Sequence, residues 1–467
     1  MPALLTSVST RLRAVLEVAR LEPYDTSTAE GRSLERYRRI VLSAMVSVVG
    51  RALAAAAGLA AAPIALAYLG KERYGLLAVI GSLTMWASLL DLGITGGLLN
   101  AIAEAHGRDD REATRSYFST AFYSLVMIAA LAGATALLLL PVVSFTDVIK
   151  APASVDRRSV VAGVAAALSL TIATLPFGVV AQMYVGRQKG YVAIVFTTAG
   201  AILSLTALVV SVRAGASFAV VVAATNCPAL LAGVMGLAYL LTREMPWLRP
   251  APSTMSARAI RRVLGTSVPL FLFQIGGLLV NQSQQLVLVR RVGLGTVAEY
   301  DVLWKVYVVL ASVITLSTAS FAPSFRESFE RGELAWMRRS FFHLVGIRMA
   351  LSLGAAAVLA LGGNFALRVW LGRVDFQYGT TAWLLLGLLL CSTVWTASFV
   401  ELLTILDRIW PQIVVVLAQG VATIAFTWVL GPKMGIIGAL CGVTAPAIGL
   451  SSWLFPRLAR PVLAGAK

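Results

Sequence analysis

From Ile40 to its C-terminus the chain consists of apolar runs about as long as a bilayer is thick. A hydrocarbon core of about 30 Å takes roughly 20 residues of helix. Runs of that length recur about twelve times, over 40–69, 74–104, 117–141, 159–184, 190–211, 217–241, 264–289, 298–322, 340–361, 380–405, 410–430 and 434–455. Only 13% of the 467 residues are charged and 58% are hydrophobic, against about 25% charged in a soluble domain. Ala, Leu and Gly dominate the runs, and the alternation with closely spaced turns that marks an outer-membrane barrel is missing. The sequence therefore predicts an all-α polytopic membrane protein.

Residues 1–39 differ. Leu4, Leu5, Val8, Leu12, Val15 and Leu16 recur at helical spacing with Arg11, Arg13 and Arg20 between them, which predicts an amphipathic helix lying on the membrane surface. Arg11 and Arg13 interrupt any apolar core that a signal peptide would need. Tyr24 to Ser33 reads as a polar linker.

Basic residues set the orientation. With a cytoplasmic N-terminus, 25 of the 39 Lys and Arg fall on the inside and 11 outside, leaving Arg51, Lys305 and Arg348 within spans. Both termini are thus expected on the cytoplasmic side. The net charge of +17 then reports topology and contact with anionic lipid heads. No basic domain stands apart, so a nucleic-acid partner is excluded. Cys227, Cys391 and Cys441 lie inside apolar runs, without pairing spacing, and read as core thiols.

The longest cytoplasmic connection, residues 242–263, carries Pro246, Pro250, Pro252 and five arginines. It divides the helices into an N-lobe, 40–241, and a C-lobe, 264–457, followed by a tail, 458–467. A weak internal echo supports two lobes. YLGKERYGLLAVIGSL, from Tyr68, resembles RVGLGTVAEYDVLWKV, Arg291 to Val306, each placing a glycine turn before an aromatic that opens the second helix of its lobe. Paired repeats with a site between them near the midplane are a common transporter plan.

These stretches carry a family resemblance. YLGKERYGLL with LLDLGITGGLLNAIAE (Leu89 to Glu104) strongly resembles the first hairpin of the Wzx-type polysaccharide flippases, in the superfamily that includes MATE antiporters and lipid II flippases. MYVGRQKGY, Met183 to Tyr191, resembles that family's loop between helices four and five, and VRRVGLGTVAEYDVLWKV its turn between helices seven and eight. Pro323 in FAPSFRES fits the end of its helix eight. The chain departs from the family at Gln284 and Gln285, where many members carry an acidic residue. The resemblance implies a MATE-like fold of two six-helix lobes in the bacterial inner membrane, a plan that works without a cofactor and leaves the oligomeric state open. It also implies a substrate, an undecaprenyl-diphosphate-linked oligosaccharide, moved to the periplasmic leaflet alongside polymerase and export partners.

A sugar diphosphate cannot cross hydrocarbon unaided, because each buried unpaired polar group costs several kcal/mol. A cavity must replace water, with cations for phosphate and amides for sugars. Charges within helices are therefore the candidates. The midpoint of 51 and 91 is the turn at 71, so Arg51 and Asp91 are expected at one depth, as a pair pinning two helices or as cavity lining. Asp301 and Lys305, four apart, share a helix face. By the same midpoint argument Lys305 is level with Gln285 and Asp301 with Arg290, and Gln274, Asn281, Gln282 and Gln284 continue a polar face inward. Arg348 and Glu401 centre on the loop Gly362 to Gly379 and form the C-lobe candidate pair. His106 and His343 fall at cytoplasmic helix ends and read as solvated.

Enzymatic parts are missing. The two histidines lie in separate loops, and there is no metal-ligand spacing, no phosphate loop and no Gly-x-Ser-x-Gly elbow. A polymerase would want a large outer loop, whereas 142–158 and 362–379 are short. A MATE-type cation antiporter would want a small central site with an ion-binding carboxylate; a flippase wants a wide basic cavity. Energy would come from a proton or sodium gradient through Asp91, Asp301 or Glu401, or from consumption of the product outside. Pro176, Pro228, Pro269 and Pro446 are hinge or static-kink candidates.

Overall fold

The computed structural model describes residues 29–139, 156–315, 322–372 and 376–464, with backbone alone at 29–44, 266, 322 and 323. Every regular element among them is helical. In chain order these are α1 (Ala29–Ala87), α2 (Ile94–Gly107), α3 (Arg111–Leu139), α4 (Arg157–Thr174), α5 (Gly178–Gly186), α6 (Gly190–Arg213), α7 (Phe218–Tyr239) and α8 (Ala257–Asn281). There follow α9 (Ser283–Arg291), α10 (Leu294–Thr315), α11 (Ala322–Glu330), α12 (Leu334–Leu371), α13 (Thr380–Ile405), α14 (Ile409–Pro446) and α15 (Ser452–Leu463).

Among the described residues, nine helical segments are long and apolar enough to cross a membrane. At 1.5 Å per residue the 59 residues of α1 would reach about 90 Å, some three hydrocarbon cores. The helix breaks at Gly70 (φ 75°, ψ 171°). Gly435 (φ 56°, ψ −126°) interrupts the 38 residues of α14 in the same way. Both conformations are ones that a residue with a Cβ rarely adopts.

Several boundaries differ from the sequence reading. The run 74–104 is not one helix: a short 3-10 turn, Ser88–Asp91, and left-handed Leu92 and Gly93 separate α1 from α2. Residues 362–371, expected in a loop, prolong α12 to Leu371. Pro323 lies within α11 (Ala322–Glu330); the residues that join α11 to α10, 316–321, lie outside the described residues. The helix is already formed at Ala29, inside the expected polar linker, while residues 1–28 lie outside the described residues. α15 continues to Leu463 with Ala459 and Val462 buried, inside the segment read as a tail. Of the proline positions, Pro176 sits in a 3-10 break between α4 and α5, and Pro446 precedes a π turn, Ala447–Ser451.

Among the described residues three hydrophobic cores hold the helices, and their placement matters more than their size. One surrounds Gly70 and Gly293 and draws on both halves of the chain: Leu66, Leu76, Val79 and Ile80 pack with Val297, Tyr300, Leu303, Leu367, Leu386 and Leu440. At the other end of the helices the core divides. Leu98, Ile102, Phe118, Val179, Tyr184 and Val263 form one cluster; Phe325, Phe341, Val345, Phe399, Leu402 and Phe455 form another. The hydrophobic core is thus shared by both halves at the Gly70 end and divided in two toward the Arg262 end, where α8 still packs against α2.

The 242–256 connection is fastened rather than loose. Met245 and Leu248 are buried in the first-half cluster. Arg115 donates to Arg249 O at 3.2 Å, and Lys189 pairs with Glu244 at 2.5 Å.

Candidate functional site

The seam between the halves carries most of the buried polar chemistry. At the Gly70 end, Tyr74 of α1 donates to Asp301 of α10 at 2.6 Å. Lys305, one turn further along α10, pairs with the same carboxylate and donates to the Tyr74 hydroxyl at 3.0 Å. Asp301 and Lys305 therefore neutralise each other as their spacing predicts, and Tyr74 is the member that sequence reasoning missed. Its signal was present: Tyr74 is the aromatic in the repeated glycine-turn motif.

Around this triangle Lys71 pairs with Glu299 and lies 5.3 Å over the Phe376 ring. Trp370 of α12 donates to Leu59 O at 3.0 Å. A Cβ on Gly75 would collide with the Leu294 carbonyl, so the two backbones touch there. At the Arg262 end contact between the halves runs through α8: Arg262 pairs with Glu104 of α2, and a Cβ on Gly97 would strike the Val263 carbonyl.

Arg51 and Asp91 do not form the expected pair. Asp91 is 9% exposed, and its carboxylate accepts from Gly93 N at 2.7 Å and Thr95 Oγ1 at 2.5 Å. It closes the turn that leads into α2, in which Leu92 and Gly93 are left-handed. Arg51 is exposed. Its neighbour Gly50 packs against Ile194 and Thr198 of α6, whereas Val48, Val49 and Leu53 are about half exposed. α10 shows the same change: residues 300–304 are buried, while Val308 and Val313 are exposed. Both helices lose cover toward the Arg262 end.

Arg348 and Glu401 do meet, at 2.8 Å. Arg348 also donates to Ser398 Oγ and to Thr315 O, each at 3.0 Å. At 1% exposed it ties α10, α12 and α13 together inside the second half. Gln274 is half-buried. Asn281 bonds back to Gly277 O of its own helix at 2.7 Å. Gln284 accepts from Thr427 at 2.7 Å, fastening α9 to α14, and the Gln285 side-chain oxygen is buried without a partner. Arg290 lines a cavity of about 390 Å³ walled by α1, α8, α9 and α14. His106 and His343 are both exposed. Beyond the spans, Arg326 of α11 bonds to Glu330 and Asp407; those two partners raise its pKa above the ordinary guanidinium value.

The profile of one family, described as polysaccharide biosynthesis protein, matches residues 40–329. The chain belongs to that family. A provisionally named O-antigen export protein of Yersinia pseudotuberculosis is 21% identical over 401 residues, covering 84% of this chain and 89% of its own. A provisionally named O-antigen transporter of Salmonella typhi is 20% identical over 421 residues, covering 88% and 93%. Among solved structures, the inward-facing form of a multidrug resistance MATE family transporter superposes with a TM-score of 0.73 at 15% identity, over 90% of this chain and 99% of that one. An outward-facing form of such a transporter gives 0.65 at 15% identity, over 92% and 96%. The fold of this family member is thus MATE-like.

Proposed function

We propose that this protein is a flippase that moves an undecaprenyl-diphosphate-linked oligosaccharide from the cytoplasmic to the periplasmic leaflet of the bacterial inner membrane, for O-antigen, capsule or exopolysaccharide synthesis. The observation that carries the reading is the single core at the Gly70 end and the divided core at the Arg262 end. In this reading the space between the two clusters at the Arg262 end is the opening of a wedge. The surplus of Lys and Arg sits at the open face, which makes that face cytoplasmic, and it is there that a lipid-linked precursor would enter.

In this reading Gly70 and Gly435 are turns, the chain crosses twelve times, and residues 40–241 rock against 264–457. Tyr74, Asp301, Lys305, Lys71 and Glu299 clasp the periplasmic side and must part for release. Arg51, exposed on the helix that loses cover, is the cation best placed for the diphosphate, since a guanidinium binds phosphate oxygens through paired N–H groups. The polar face of Gln274 and Gln285 serves the sugars.

Drug antiport by an ion-binding carboxylate is the competing reading. Asp91 is taken up by Gly93 and Thr95, Asp301 by Tyr74 and Lys305, and Glu401 by Arg348. Those contacts favour drive by consumption of the product outside. Deleting the gene tests the proposal: lipid-linked oligosaccharide should accumulate on the cytoplasmic leaflet, and undiminished surface polysaccharide would reject it.

A further inference from the structure

A cavity of about 390 Å³ lies beside Arg290. Three stripes at helical spacing wall it: Val79, Leu83 and Trp86 on α1, Leu279 to Arg290 across α8 and α9, and Ile424 with Trp428 on α14. It therefore sits in the seam between the two halves, where α1 past Gly70 faces α9. Its lining is apolar apart from Ser283, Arg290 and two indoles. The Trp86 Nε1 is buried and has no hydrogen-bond partner. The charge is all at one end. Arg290 lies three residues before Gly293, and the Arg291 guanidinium sits 4.7 Å over the Trp428 ring on the same rim.

The depth also has a meaning. From Arg290 to Leu279 is eleven residues, interrupted at Gln282 between α8 and α9, and spans at most about 16 Å, which matches one leaflet of a bilayer core of about 30 Å. A cavity with cations at the interface and hydrocarbon walls for the depth of a leaflet is shaped for an amphiphile with an anionic head and one chain.

We propose that this seam cavity holds a resident anionic phospholipid of the Gly70-side leaflet, with its phosphate at Arg290 and one acyl chain running past Leu286 and Leu83 to Trp86. A polyprenyl carrier is too long for a slot one leaflet deep. Because one wall comes from each half of the chain, the lipid stabilises the arrangement in which the Gly70 ends are closed. This holds whether or not the transported substrate is a lipid-linked sugar.

Brominated acyl chains quench nearby indoles, so Trp86 itself is the reporter, isolated by comparison with Trp86→Phe. The full chain is placed in phosphatidylcholine nanodiscs, and brominated phosphatidylglycerol or brominated phosphatidylcholine is titrated in. The glycerol lipid should quench the Trp86 signal at a roughly tenfold lower mole fraction, a preference that Arg290→Gln removes and Arg290→Lys partly keeps. Leu286→Phe, which fills the slot without touching the charge, should lower quenching by both lipids. Equal quenching by the two lipids, or a preference unchanged in Arg290→Gln, would overturn the proposal. So would relief of quenching by equimolar undecaprenyl phosphate but not by unbrominated phosphatidylglycerol, because the slot would then belong to the carrier.

Discussion

Tyr74 and Asp301 lie 227 positions apart in the chain, yet a 2.6 Å hydrogen bond joins them across the seam. Lys305 closes the triangle from the next turn of α10. A local pair, legible from the spacing of 301 and 305, thus becomes an interdomain clasp through one tyrosine. Removing the hydroxyl leaves the ion pair in place but unhooks it from α1.

Tyr74→Phe should therefore shift the protein toward opening at the Gly70 end. One hydrogen bond to a charged group contributes about 1.5–3 kcal/mol, so the open population should rise by roughly ten- to a hundredfold. Spin-label distances across that end, in a background with Cys227, Cys391 and Cys441 replaced, would show it. An unchanged distance distribution would mean that the triangle is not part of the clasp.

Arg348→Ala should be strongly destabilising, by about 3 kcal/mol, because it removes the buried cation that pairs with Glu401 and bonds to Ser398 and Thr315. Arg348→Lys should recover little, since an ammonium cannot reach three acceptors set out for a planar fork. The double variant Arg348→Met with Glu401→Leu should unfold later on heating in detergent than Arg348→Ala alone. If Arg348→Ala keeps its unfolding midpoint and loses only transport, Arg348 is a substrate contact.

Gly97→Val should pry α2 from α8, because a β-carbon there meets the Val263 carbonyl and the Ser267 hydroxyl. Overpacking of this kind costs typically 1–3 kcal/mol. Gly58→Ala has open space around it and should behave as wild type. Comparable loss of folded protein in both would point to a general intolerance of glycine replacement.

The helical fold, its membrane setting and the Asp301–Lys305 pair could be read in the chain, because span length and i, i+4 spacing are local facts, and the Arg348–Glu401 pair followed from equal depth about the 362–379 connection. The Arg51–Asp91 pair could not. Equal depth from a shared turn fixes height but not azimuth, and the break at 88–93 turns Asp91 toward its own backbone, where Gly93 and Thr95 satisfy it. The seam cavity was hidden for a related reason: its stripes belong to helices far apart in sequence, and no periodicity in one reports on another. The divided core was equally invisible, since apolar residues mark burial without saying what they pack against.

Arg51 carries the sharpest functional expectation among single residues. With no carboxylate paired to it among the described residues, Arg51→Ala should leave folding and membrane levels intact, and Arg51→Lys should retain more transport than Arg51→Ala. Equal activity of the two at normal membrane levels would remove Arg51 from the substrate path.

The central claim is tested most directly with purified protein in liposomes carrying a lipid-linked oligosaccharide in one leaflet, scored by the head groups that become accessible on the other side. The account predicts protein-dependent leaflet transfer without an imposed ion gradient, slowed in Arg51→Ala. Absence of transfer, together with gradient-driven uptake of organic cations by the same liposomes, would contradict it.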